Sequence, residues 1–166
     1  TTALDVTMEA QIIHLLQELQ AEFEATIVLV SHNLGLIAEL CDEVVVMYAG
    51  KVVETGEVHQ IFHAPRHPYT RALLECDPAR ISRRTARLPV IAGDIPDLTR
   101  PVTGCIFADR CPRVMAICRI EKPPAAATPG GGMALCHLLE GPGADPGWPP
   151  PAEVATVLPT AAASAP

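Results

Sequence analysis

One apolar run, from Thr26 to Val30, limits the folds open to this chain. It follows a long amphipathic segment, from about Val6 to Glu24, and ends in the polar pair Ser31–His32. A continuous apolar run after a helix is typical of a buried strand in a parallel sheet. The pattern therefore predicts an α/β fold with a buried strand from Thr26 to Ser31. Sheets of this class bind ligands at the carboxyl ends of their strands, so Ser31 and His32 are candidate residues of a phosphate site.

The periodicity of the next fifty residues predicts the closing part of such a sheet. Ala49-Gly50 offers a tight turn between two apolar runs, which indicates a hairpin. The predicted elements are a helix from Leu34 to Cys41, strands from Glu43 to Tyr48 and Lys51 to Glu54, and helices from Val58 to Phe62 and Arg71 to Glu75. In the first helix the predicted buried stripe consists of Ile12, Leu16, Leu19 and Phe23.

The chain divides into three predicted parts. Residues 1–78 form the α/β part, and residues 79–138 form a small, loop-rich segment that needs a staple to be ordered. Residues 139–166 are rich in proline and alanine, lack Lys and Arg, and are expected to be disordered. A basic run lies at the start of the second part: Arg80, Arg83, Arg84 and Arg87. We interpret it as a solvated surface segment, with an anion or partner contact as the alternative.

Composition narrows the function classes. The formal net charge of −7 argues against a nucleic-acid binder. No stretch approaches the roughly 18 consecutive apolar residues of a membrane span. The first residues also lack the basic-then-apolar order of a signal peptide. We therefore expect a soluble, cytosolic chain or a peripheral subunit.

Six cysteines without a secretion signal indicate metal or thiol chemistry before disulfides. Four of them lie in one short stretch with the spacing C-x5-C-x6-C-x17-C: Cys105, Cys111, Cys118 and Cys136. His137 follows directly. Thiolates in a segment with little apolar core fit a metal-centred fold. The spacing lacks the C-x2-C pair of zinc ribbons and ferredoxins, so it leaves an iron–sulfur cluster, Zn²⁺ and unmetallated thiols or disulfides open.

Several motifs, in this order, resemble the end of an ABC transporter ATPase. They are Thr1-Thr2-Ala3-Leu4-Asp5, Val30-Ser31-His32-Asn33-Leu34 and Val46-Met47-Tyr48-Ala49-Gly50-Lys51. His67-Pro68-Tyr69-Thr70 and Gly104-Cys105…Cys136-His137 are similar to the oligopeptide/dipeptide (and nickel) importer branch. The resemblance covers about Thr1 to Leu138. It implies the C-terminal portion of a P-loop ABC ATPase domain, then a small Cys-containing C-terminal domain and a disordered tail.

The resemblance also implies roles for individual residues. Asp5 matches the D-loop, which couples the two nucleotide sites of the ATPase dimer; as an Asp before a helix, it is also a candidate N-cap. His32 matches the switch histidine that contacts the γ-phosphate, and Ser31 stands beside it at the nucleotide-binding edge. Asn33 stands where the family has Asp. The four cysteines match those that can hold a four-iron–four-sulfur cluster, with Zn²⁺ as the less favoured metal.

The activity implied by the resemblance is ATP hydrolysis with Mg²⁺, which energises uptake of oligopeptides or dipeptides. The implied partners are a second ATPase subunit, membrane permease subunits and, indirectly, a peptide-binding protein. The implied location is the cytoplasmic face of the membrane, and no nucleic acid is expected as a partner.

The sequence contains no phosphate-binding loop of the form G-x-x-x-x-G-K-[ST], no ABC signature glycines and no acidic strand end for magnesium and a catalytic Glu. We therefore expect a truncated ATPase that alone neither binds ATP tightly nor hydrolyses it. The alternative is a free-standing iron–sulfur or zinc regulatory module without ATPase activity. A secreted disulfide-rich protein is disfavoured by the missing signal and the valine-rich strands.

Overall fold

The computed structural model describes residues 6–80 and 88–140, with the side chains of the first helix from residue 11 onward. Predictions for Asp5, Arg83, Arg84, Arg87 and residues 141–166 lie outside this part. Contacts divide the chain after Cys41 into two units. The first contains α1 (Val6–Phe23) and α2 (Leu34–Leu40). The second contains β1 (Glu43–Tyr48), β2 (Lys51–Glu57), α3 (Val58–His63), α4 (Pro68–Glu75), β3 (Ala125–Ala127) and β4 (Met133–Leu135).

The predicted strand from Thr26 to Ser31 is wrong for this structure. The segment between α1 and α2 is irregular and pairs with none of the described strands. Val28 and Val30, predicted to be buried, are 86% and 94% exposed. An extended segment becomes a strand only when its N–H and C=O groups pair with a neighbour, and residues 6–80 and 88–140 supply none here.

α1 is confirmed as a helix, but its predicted buried stripe is not buried. Ile12, Leu19 and Phe23 are exposed, and Ile13 is the residue of α1 that is buried among those described from residue 11 onward. Among the described elements of its unit, α1 packs against the short helix α2. A helix stripe is buried only when another element covers it, so the periodicity alone could not decide this point.

The second unit is built on a four-stranded antiparallel sheet in the order β1-β2-β4-β3. The predicted hairpin is confirmed: Ala49 and Gly50 have φ values of 48° and 75°, as a two-residue turn between twisted strands requires. β1 alternates between exposed and buried positions. β4 pairs with β2 through Glu54 and Ala134. The cysteine-containing segment thus completes the sheet that the hairpin begins.

The helices α2, α3 and α4 are confirmed, although α4 starts three residues earlier than predicted. His67 is its N-cap, since the ring Nδ1 accepts the N–H of Tyr69 at 3.0 Å, and Pro68 occupies the first turn. Tyr69 then packs against Tyr48 and Phe107, with ring centroids 4.6 and 5.4 Å away. This aromatic cluster joins β1, α4 and the cysteine-containing segment. The fold is α/β with a small antiparallel sheet.

Candidate functional site

In the first unit, Ser31, His32 and Asn33 form a turn that leads into α2. The Ser31 Oγ accepts the N–H of Asn33 at 3.0 Å, and the Asn33 Oδ1 accepts the N–H of Leu36 at 3.2 Å. Asn33 is therefore the N-cap of α2. Asp and Asn are equally good N-caps, so the Asp that the resemblance leads us to expect here would serve this cap as well.

His32 lies between these two anchored residues and is exposed to solvent. The hydrogen bonds of Ser31 and Asn33 fix the backbone on both sides, so the imidazole is presented from a defined turn. An imidazole N–H is a directional donor suited to phosphate oxygens. The geometry is compatible with a phosphate-contacting role for His32, while Ser31 uses its hydroxyl to hold the turn.

In the second unit, backbone contacts bring the four predicted cysteine ligands together. The N–H of Cys105 donates to the carbonyl oxygen of Cys118 at 2.8 Å. Gly104 lies so close to the same carbonyl that a Cβ at this position would overlap it. Cys111 follows a 3-10 turn, Ala108–Arg110, and Cys136 follows β4 directly. All four cysteines line one small cavity.

Three of the thiols that line this cavity hold their protons more tightly than an exposed cysteine does. Burial raises the pKa of Cys105 and Cys111, and it raises the pKa of Cys136 to about 11. Nearby backbone N–H groups donate to the same three sulfurs: those of Phe107 and Ala108 to Cys105, of Arg113 to Cys111, and of Leu138 to Cys136. Such N–H groups stabilise thiolates and tune metals bound to them. A bound cation would convert the four thiols to thiolates.

The cavity between the four cysteines is small. Its volume is about 10 Å³, roughly that of one water molecule. No group of three or more His, Cys, Asp or Glu side chains in residues 6–80 and 88–140 is arranged as a metal site. The soft donor set suits Zn²⁺ or an iron–sulfur cluster. In the described residues the four sulfurs line one cavity without the arrangement of a metal site, and the structure gives no evidence for iron and sulfide.

His67 forms part of the wall of this cavity and is held by a buried carboxylate. The two carboxylate oxygens of Glu54 accept the backbone N–H groups of Arg66 and His67 at 2.6 and 3.0 Å. Burial raises the pKa of Glu54, because desolvation disfavours its charge. Burial also lowers the pKa of His67 to about 4, so the ring is neutral at neutral pH. Sequence reasoning named His67 only as part of a family motif and missed its place at this cavity. It missed Glu54 altogether, for which an acid within the apolar hairpin strand was the signal.

Comparison with known proteins shows which proteins this chain resembles. Residues 53–118 match the oligopeptide/dipeptide transporter C-terminal region. The dipeptide transport ATP-binding protein DppD of Escherichia coli is 48% identical over 139 residues, which is 82% of this chain and 42% of DppD. Over most of its length, the chain is similar to the ATP-binding proteins of peptide ABC transporters.

Two further relatives support this placement. The probable peptide ABC transporter ATP-binding protein y4tR of Sinorhizobium fredii is 44% identical over 136 residues, 82% of this chain and 41% of y4tR. The oligopeptide transport ATP-binding protein OppD of Salmonella typhimurium is 45% identical over 130 residues, 78% of this chain and 38% of OppD. The chain thus spans about two fifths of the length of these relatives.

The match to the family's C-terminal region begins in β2 and ends at Cys118. It includes Glu54, His67 and three of the four clustered cysteines, whereas Cys136 lies beyond it. The resemblance seen in the sequence is therefore confirmed. Within residues 6–80 and 88–140, no helix combines the length and apolar character that a membrane crossing requires.

Proposed function

We propose that this chain acts within an ATP-binding subunit that energises uptake of oligopeptides or dipeptides. The observation that carries the proposal is the 48% identity to a dipeptide transport ATP-binding protein, together with an exposed His32 on a turn fixed from both sides. The comparisons give no support to a free-standing regulatory module. The proposed partners are a second ATPase subunit and the membrane permease, with a peptide-binding protein acting indirectly, at the cytoplasmic face of the membrane.

In this proposal His32 contacts the γ-phosphate of ATP and helps to orient the attacking water. Phosphoryl transfer is catalysed mainly by positioning and by stabilisation of charge, which one directional N–H donor can supply. Ser31 holds the turn beside it, and Asp5 belongs to the segment that couples two nucleotide sites. The sequence holds no phosphate-binding loop, so we propose turnover for the assembled ATPase with Mg²⁺ and not for these 166 residues alone.

The test is the exchange of His32→Gln in the assembled transporter. We expect ATP hydrolysis to fall by about 100-fold with little change in ATP affinity, since one charge-stabilising donor is removed. Asn33→Asp is the matched control, because it keeps the N-cap and should leave hydrolysis near that of the parent. Undiminished hydrolysis by the His32→Gln variant would overturn the assignment.

We further propose that Cys105, Cys111, Cys118 and Cys136 hold a metal centre. The convergence of the four cysteines on one cavity supports this, as do the N–H groups directed at three of the sulfurs. A four-iron–four-sulfur cluster is the centre implied by the family resemblance, and Zn²⁺ is the alternative that the same soft donor set suits. Either centre would supply a structural crosslink for a segment with few regular elements.

Anaerobic purification followed by iron, sulfide and zinc analysis and a visible absorption spectrum tests this second proposal. Iron and sulfide in equal amounts with a visible chromophore indicate the cluster, and stoichiometric zinc without colour indicates the single ion. Cys118→Ser should abolish metal binding in either case, whereas Cys76→Ser, outside the cavity, should preserve it. Protein free of metal, or metal retained by the Cys118→Ser variant, would contradict the proposal.

A further inference from the structure

A second and much larger cavity lies in the second unit, with a volume of about 610 Å³. Small-molecule sites in proteins measure about 300–1,000 Å³ and combine apolar walls with a few polar groups. Much of the lining here is apolar and comes from separate segments, including Val52, Leu98, Ile106 and Leu135. The size and character of the cavity are those of a ligand site that neither the nucleotide nor the metal proposal uses.

The charge of the lining is the unusual feature. Three cationic residues line the cavity, Lys51, Arg100 and Lys122, and no Asp or Glu does. The whole chain is acidic, with 12 Lys and Arg against 19 Asp and Glu. Lys51 and Lys122 are, moreover, the two lysines of the entire sequence. The lining of the cavity is therefore positively charged, in contrast to the acidic chain as a whole.

Among the described residues the two lysines have no ionic partner, whereas Arg100 and His67 each have one contact already. In the part of the chain that is described, neither lysine forms an ion pair. The Arg100 Nε, by contrast, lies 3.3 Å from an Asp97 carboxylate oxygen. The His67 Nδ1 accepts the N–H of Tyr69, and the ring also bonds the backbone of Leu135. Lys51 and Lys122 are therefore the cationic groups of this cavity that a ligand meets without displacing an existing ion pair.

We propose that this cavity binds a small organic carboxylate whose apolar body contacts the walls and whose anionic group is held by Lys51 and Lys122. A lysine is a flexible point charge suited to one anionic group. As far as residues 6–80 and 88–140 form it, the lining includes no glycine-rich loop of the kind that cradles nucleotide phosphates. The N-terminus of α4 does reach the cavity through its N-cap His67, but Pro68 follows and has no N–H to donate. The inference depends on neither a metal at the cysteines nor ATP hydrolysis. Because Cys105 and His67 line both cavities, the ligand would lie beside the cysteine site.

The two lysines provide their own reporter. Reductive methylation of the purified chain with ¹³C-formaldehyde labels Lys51 and Lys122 and preserves their positive charge. We expect titration with 4-phenylbutyrate to shift both labelled lysine signals with one common saturation curve. The uncharged amide of the same acid should bind about tenfold more weakly, since it loses the charge-assisted contacts. Equal binding of acid and amide, or lysine signals that do not move, would overturn the proposal.

Substitutions then locate the site by calorimetric titration of 4-phenylbutyrate into the unlabelled chain. Lys51→Gln and Lys122→Gln should each weaken binding by about fivefold, and the double variant should weaken it by more than either alone. Arg119→Gln removes the same charge from an exposed residue outside the cavity and should leave binding unchanged. All three lysine variants alter exposed side chains, so folding should be preserved. Undiminished binding by the double variant would place the ligand elsewhere and refute the assignment.

Discussion

The two units differ in how far their apolar side chains are buried. In the second unit, Val53, Ile61 and Phe107 are almost completely buried around the antiparallel sheet. In the first unit, Phe23, Val28 and Val30 are mostly exposed. Both regions carry strongly apolar sequence, so composition does not explain the contrast. The hairpin finds its partner strand across a two-residue turn, whereas a parallel strand needs a partner that lies a dozen or more residues away.

The largest expected effect compares two phenylalanines. Phe107 is 1% exposed and contacts the rings of Tyr48 and Tyr69, so Phe107→Ala should lower the free energy of unfolding by about 4 kcal/mol. Phe23 is 67% exposed, and Phe23→Ala should change that free energy by less than about 0.5 kcal/mol. Urea unfolding of the two variants measures both values. Similar losses would break the contrast between the units.

A second test concerns the strand pairing that joins the cysteine segment to the sheet. A Cβ on Gly132 would overlap the Thr55 carbonyl oxygen, so Gly132→Ala should cost about 3 kcal/mol by forcing β2 and β4 apart. Gly131→Ala is the control: its φ of 85° strains alanine, but the space is open, and the cost should be about 1 kcal/mol. Thermal unfolding compares them. Equal costs would show that the close approach of the strands contributes little.

The third test uses pH. Burial lowers the pKa of His67 to about 4, whereas the pKa is about 6.5 in the unfolded chain. Between these two pH values the folded state therefore binds fewer protons than the unfolded state. The resulting stability is present above pH 6.5 and is lost as the pH falls toward 4. Between pH 7 and pH 5 this contribution should fall by about 2 kcal/mol.

His67→Asn isolates that contribution, because Asn keeps an N-cap acceptor but does not titrate in this range. The difference between parent and variant removes the opposing effect of Glu54, whose raised pKa adds stability as the pH falls. Urea unfolding at the two pH values should show a steeper acid loss for the parent. The same pH dependence in both proteins would exclude His67 as its source.

The smallest expected effect lies in the first unit. The double exchange Val28→Thr and Val30→Thr should alter the free energy of unfolding by less than about 0.5 kcal/mol, because both side chains are exposed. It should also reduce self-association, measured by sedimentation, since it removes apolar surface. Val53→Thr, at a buried position of β2, should instead destabilise the second unit. A large loss from the double exchange would mean that the run from Thr26 to Val30 is covered after all.

Sequence reasoning succeeded where the signal was local. The hairpin at Ala49-Gly50 follows from turn residues between apolar runs, and α2 and α3 follow from spacing within one or two turns. It failed for the strand from Thr26 to Ser31, because burial of a strand depends on neighbours that its own residues do not encode. The N-cap role of His67 was also missed, since it depends on a ring nitrogen bonding the N–H two residues later.

By itself, the sequence determined the family resemblance, the four-cysteine spacing and the local elements, because motif order, spacing and turn chemistry are properties of neighbouring residues. Only the tertiary structure decided that the cysteine segment completes the hairpin's sheet and that its four thiols line one cavity. The tertiary structure also decided that the two lysines, 71 positions apart in sequence numbering (Lys51 and Lys122), line a single cavity. These arrangements arise because strands from distant segments pair with one another. The energy of that pairing depends on the partner strand, so a periodic pattern within one segment does not reveal it.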